Sequence, residues 1–145
     1  MTITTEDPLA AIDRLVQATN AHDIERLVAC FAEDYALDAP AHPERSFRGT
    51  EQVRSNWTRI FAGVPDISAR LLRSAVAGDT AWTEWEMSGT RGDGAAHRML
   101  GVFIFGVAGG LIRWGRMFLE PLELGGPKAE GALSAQLGSP PTRRS

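Results

Sequence analysis

Apolar and polar residues change their spacing once along the chain, near residue 66. Before that point the period is helical. Leu9, Ile12, Leu15, Val16 and Thr19 recur at three and four residues, as one face of a helix does. Asp7 and Pro8 stand in front of them, an N-cap residue followed by the proline that suits the first helical position. Asn20-Ala21-His22 interrupts the pattern, and Asp23 caps a second, shorter helix with the stripe Ile24, Leu27, Val28 and Phe31. Cys30 is expected to pack beside that stripe. YALDAP reads as a short strand stopped by Pro40, and AHPERSFRG as loop with a strand fragment. Thr50 caps a third helix, EQVRSNWTRIFAG, whose stripe is Val53, Trp57, Ile60 and Phe61.

After Val64-Pro65-Asp66 the residues alternate, as in strands with two different faces. Strands are predicted over 67–76, with a bulge near Arg73-Ser74, and over 80–89, 97–107 and 111–120. Ala77-Gly78-Asp79, Arg91-Gly92-Asp93-Gly94 and Ala108-Gly109-Gly110 supply the turns. Three helices followed by a meander of long antiparallel strands is an α+β pattern. It divides the chain into an N-terminal arm (1–7), one domain (8–122) and a tail (123–145). The tail is rich in Gly, Pro, Ala and Ser without an apolar period, and is expected to be disordered.

Composition narrows the classes of function. The 145 residues suffice for one domain with a real core. A net charge of −3 without clustered cations argues against a nucleic-acid partner. The lone Cys30 permits no intrachain disulfide. No apolar run has the length of a membrane span or the form of a signal peptide, so a cytoplasmic protein is expected, with no membrane partner. His22, His42 and His97 lie far apart without paired ligand spacing, so no metal is expected. GVAGG lacks the strand-to-helix setting of a nucleotide loop, and no cofactor is expected.

Five segments in order, NAHDIERLVACFAEDYALDAP, FRGTEQVRSNW, GDTAWTEWEMSGT, LGVFIF and LIRWGRMFLEP, resemble the SnoaL-like branch of the nuclear transport factor 2-like superfamily. The resemblance spans roughly residues 8–122. It implies a curved antiparallel sheet wrapped around the three helices, of cystatin-like topology, making a cone with an internal pocket. It also implies a small apolar molecule as partner and a homodimer formed through the sheet. It does not carry over the catalytic residues of the family's enzymes. The general base of ketosteroid isomerase falls on Ala39, beside Asp38. Its oxyanion-hole Tyr falls on or near Leu15, and its protonated Asp on Gly101. The Arg and Asp of limonene-epoxide hydrolase fall on Trp85 and Met87, and its second Asp on Leu119, beside Glu120. The His of the polyketide cyclases falls on Arg91.

The remaining candidates for chemistry are Glu84, Glu86, Arg116, Glu120, His42 and Asp38. Glu84 and Glu86 are two residues apart on one strand, roughly 6.5 Å between Cα atoms, and share a face. Buried together they would push one carboxyl pKa up and form an acid–base pair; on an outer face they would only keep the sheet soluble. Arg116 and Glu120 share a face with Trp114 and Phe118, a setting suited to a ligand carboxylate or carbonyl. Asp38 and His42 fall near the expected pocket mouth. Candidate ligand-binding residues are Trp57, Phe61, Trp82, Phe103, Trp114 and Phe118. Isomerase-like alignment points Trp82, Glu84 and Glu86 into the pocket; hydrolase-like alignment points Thr83, Trp85 and Met87 there. A slip of one residue exchanges the two. Three functions fit the sequence: cofactor-free acid–base catalysis (isomerase, dehydratase, cyclase or hydrolase type), a non-catalytic ligand carrier, or a dimeric interaction module.

Overall fold

The computed structural model describes residues 6–138. Helix α1 (Pro8–Asn20) starts where the capping signal places it: the Asp7 carboxylate accepts from the Leu9 N–H at 2.9 Å. It buries Ala11, Ile12, Leu15 and Ala18. Helix α2 (Ile24–Val28) is capped by Asp23, whose carboxylate accepts from the Arg26 N–H at 3.1 Å. It is shorter than its apolar stripe suggests. Phe31, read as the stripe's last member, opens strand β1 (Phe31–Asp38) instead and pairs with Ile112, so strand pairing overrides the local period. A 3₁₀ turn (Pro43–Arg45) and the short strand β2 (Phe47–Arg48) lead into helix α3 (Thr50–Gly63). Gly49 stands before α3 at φ +90°, a conformation that favours glycine, and no side chain caps this helix.

Four long strands follow: β3 (Ser68–Ala77), β4 (Thr80–Thr90), β5 (Ala96–Ala108) and β6 (Leu111–Pro121). The expected bulge in β3 is present, as a register shift against β4 between Leu71 and Arg73. The six strands form one sheet in the order β2-β1-β6-β5-β4-β3. The sheet is mixed rather than wholly antiparallel, because β1 runs parallel to β6. Nothing local in a strand names its partner, so that pairing lies beyond an alternation pattern. The helices lie against the inner face of the curved, unclosed sheet. The core between them is centred on Ile12, Leu27, Trp85, Phe105 and Ile112. Each such side chain contributes ~1.5–3 kcal/mol by leaving water.

The tail differs from the disordered segment expected. Ala129–Leu137 form helix α4. Ala, Leu, Glu and Gln favour a helix intrinsically, but without an apolar stripe the helix has no packing face, and none of its residues is buried. Residues 1–5 and 139–145 of the expected arm and tail lie outside the described residues. Among the described residues no helix is long and apolar enough to cross a membrane.

Candidate functional site

Between α1, α3 and the inner face of the sheet lies a cavity of about 540 Å³. Strand parity decides what lines it. On β4, Thr83, Trp85 and Met87 are buried, while Trp82 is 50% exposed. The pairing carries that parity across the sheet: Trp85 stands opposite Gly101 and Met87 opposite Met99, and Gly101 stands opposite Leu119. Trp85, Met87, Met99, Phe103, Phe105, Met117 and Leu119 therefore face the cavity from the sheet, and Val53, Trp57 and Ile60 close it from α3. The walls are apolar and largely aromatic, with Phe103 and Phe105 stacked at 5.2 Å between ring centroids.

The polar groups deep in this wall are mostly committed to one another. The Thr19 hydroxyl donates to the Leu15 carbonyl at 2.7 Å. The Trp85 indole N–H donates to the Thr83 hydroxyl at 2.7 Å, and that hydroxyl donates to the Phe103 carbonyl at 2.7 Å. Glu44, Arg45 and Gln52 line the cavity as exposed side chains at its rim, and the half-buried Asn56 and His97 line it as well. Gln52 donates to Asn56 at 2.8 Å.

The acid–base candidates lie outside the cavity. Glu84 and Glu86 share the outer face of β4. Glu86 is 14% exposed and held between Arg98 at 2.7 Å and Arg70 at 3.1 Å. The Arg98 hydrogen bond, aided by the charges of both arginines, holds its carboxyl below the usual range. Glu84 has Arg73 at 4.0 Å. Arg116 is exposed and pairs with Asp38 at 3.3 Å. His42 contacts Glu120 at 2.7 Å, again with both side chains exposed. The six candidates are thus brought into pairs with neighbours, not together around one ligand. The reason is solvation: a charged residue on a half-buried strand settles on the wet face and draws its apolar face-mates there with it.

The same parity corrects half of the expected ligand-binding set. Trp57 and Phe103 line the cavity. Trp82, Trp114 and Phe118 are exposed on the outer face. The Trp114 indole lies across Gly106, where any Cβ would collide with it. Phe61 packs beside the core and stacks on His22 at 4.9 Å, away from the cavity lining. Gly101, the position matching the isomerase's protonated Asp, has no room for a side chain, since a Cβ would run into the backbone of Phe118 and Leu119. Sequence reasoning missed Tyr35, Met99, Met117 and Leu119. Met99 carried a signal, since its alternating neighbours Gly101, Phe103 and Phe105 are uncharged. Tyr35 alternates with Glu33, and Met117 and Leu119 with Arg113, so simple alternation does not single them out.

An α+β cone with one apolar cavity under a curved sheet is the architecture of nuclear transport factor 2-like proteins. The chain belongs to the SnoaL-like domain family, whose model matches residues 12–114. Among solved structures it is similar to wild-type IdmH, a putative polyketide cyclase from Streptomyces antibioticus. Identity there is 22%, over 92% of this chain and 100% of that one, with a TM-score of 0.69. It is also similar to an LEH-like epoxide hydrolase from M. tuberculosis (17% identity, 78% of this chain and 82% of that one, TM-score 0.67). A third similar structure is a protein with a ketosteroid isomerase-like fold from Catenulispora acidiphila, in complex with trimethylamine (18% identity, 74% and 83%, TM-score 0.63). At these identities the likeness is one of fold. No curated protein matches the chain significantly.

Proposed function

We propose that the protein binds a small, largely apolar molecule in the cavity beneath its sheet, and that it holds rather than transforms it. The observation that carries this reading is the combination of a cavity of about 540 Å³ with an apolar, aromatic lining and six outward-facing candidates for chemistry. A cavity of that size suits a drug-sized ligand. Among the described residues the one carboxylate at the cavity is Glu44, exposed on its rim. The unpaired, buried Cys30 fits a reducing, cytoplasmic setting. Native mass spectrometry of the purified protein tests the reading. A co-purified small molecule, lost on organic extraction and regained on adding the extract back, is the expected result. A protein that carries no ligand and takes up none from a library of apolar compounds would overturn it.

The outer face of the sheet supports a homodimer. Trp82, Trp114 and Phe118 stay exposed there, among Arg70, Arg73, Arg98 and Arg116 on one side of the charge balance and Glu84, Glu86, Glu120 and Asp38 on the other. A two-fold interface sets a patch against its own copy, and a patch with both signs of charge beside an apolar centre can complement itself. Sedimentation equilibrium should give twice the chain mass for the wild type and the chain mass for Trp82→Glu. A monomeric wild type would remove the dimer.

A further inference from the structure

Tyr35, the chain's only tyrosine, is 2% exposed and forms part of the cavity wall. It reaches inward from β1, on the face shared by Leu37 and Ala39. Its ring packs against Phe31 at 4.6 Å and Phe47 at 6.2 Å between centroids, which fixes its direction. The hydroxyl ends over Gly115 of β6, where a Cβ would come within 2.5 Å of it. Any other residue at 115 would push it away, so a glycine makes the room this hydroxyl occupies.

What the hydroxyl lacks is a partner. Among the described residues it makes no hydrogen bond, while the other deep polar groups, Thr19, Thr83 and Trp85, are each bonded within the wall. Every fully enclosed side-chain nitrogen or oxygen in the described residues has a partner. An unbonded hydroxyl that escapes that rule must therefore open onto the cavity rather than be sealed behind it. Burial alone pushes its pKa up, so it stays a neutral O–H across the physiological range.

We infer that the Tyr35 hydroxyl is the hydrogen-bond donor that orients the ligand, and that the ligand is an uncharged, largely apolar molecule carrying a ketone, ester or ether oxygen at its buried end. This rests on the reading of the cavity as a binding site. No charge would be matched at that depth, because Glu44 and Arg45 stand exposed at the rim. A buried donor left unpaired is costly, so the site discriminates against a ligand of the same shape that lacks the acceptor.

The test uses benzophenone and diphenylmethane, which differ in the carbonyl, with wild type and Tyr35→Phe, by isothermal titration calorimetry. Wild type should favour benzophenone over diphenylmethane about tenfold more strongly than Tyr35→Phe does. The carbonyl stretch of bound benzophenone should lie lower in wild type than in the variant. Tyr35→Phe should melt at or above the wild-type temperature, since it removes an unpaired hydroxyl and keeps the ring. An equal preference in both proteins, or an unshifted carbonyl stretch, would overturn the role of Tyr35 while leaving the cavity as a binding site. Failure of both probes to bind wild type would overturn the cavity reading itself, and this inference with it.

Discussion

Trp82 and Trp85 stand three residues apart on β4 and live in different solvents. Trp85 is 1% exposed, its N–H bonded to Thr83 and its ring against Phe103 at 6.1 Å between centroids. Trp82 is half exposed on the outer face, which it shares with Glu84 and Glu86. One strand thus builds two surfaces with opposite rules. Inside, polar atoms are few, and among the deepest Thr19, Thr83 and Trp85 are bonded within the wall while the Tyr35 hydroxyl is not. Outside, carboxylates and guanidiniums form pairs across strands, and aromatic rings fill the spaces between them. Function is expected to divide the same way, with ligand binding inside and association outside.

The largest contrast is in stability. Trp85→Ala should cost about 3–5 kcal/mol in urea denaturation, through lost burial and the cavity left behind. Trp82→Ala should cost under about 0.5 kcal/mol in the monomer. Comparable costs for the two would erase the distinction. Next comes Leu119→Trp, which places an indole in the cavity. It should cost about 1–3 kcal/mol from overpacking and abolish ligand uptake, with the helical circular-dichroism signal retained. Uptake at wild-type affinity would place the ligand elsewhere. Thr83→Val leaves the buried Trp85 N–H without an acceptor and should cost about 1–2 kcal/mol, read from the same denaturation curves.

The smallest effect belongs to the outer pairs and has a pH signature. The Glu86 carboxyl is held below its ordinary value of 4.5 by Arg98 and Arg70. A depressed carboxyl pKa contributes stability above the unfolded value, and that contribution disappears as pH falls through the folded one. Glu86→Gln should therefore be slightly less stable than wild type at pH 7. The gap should begin to close below about pH 4.5 and vanish once Glu86 is protonated in the folded protein. A gap independent of pH would mean that the arginines do not act on Glu86 through its charge.

The comparison of faces also explains what could be read from the sequence. Helix caps and turns are local, so Asp7, Asp23 and the glycine turns placed most elements within a residue or two of where they stand. Alternation showed that β4 has two faces, but with a tryptophan on each it did not say which is inside. The clue was the company each ring keeps. Trp82 travels with two glutamates, and Trp114 and Phe118 with Arg116 and Glu120, whereas Trp85 and Met87 travel with Ala81, Thr83 and Gly89, none of them charged. A charged face-mate predicts the wet side. Tyr35 went unnoticed for another reason. Its value as a donor depends on the absence of a partner, and absence of a partner is a property of the packed cavity.

The most direct measurement sets the two tryptophans against each other as reporters. Two variants would keep one tryptophan each, Trp85 or Trp82, with phenylalanine at the other three positions. Both would be titrated with bromobenzene, an apolar compound that quenches indole emission on contact. Saturable quenching of Trp85, with Trp82 unchanged over the same range, is the expected result. Quenching of Trp82 with Trp85 untouched would contradict the account, because the apolar ligand would then sit on the outer face of the sheet.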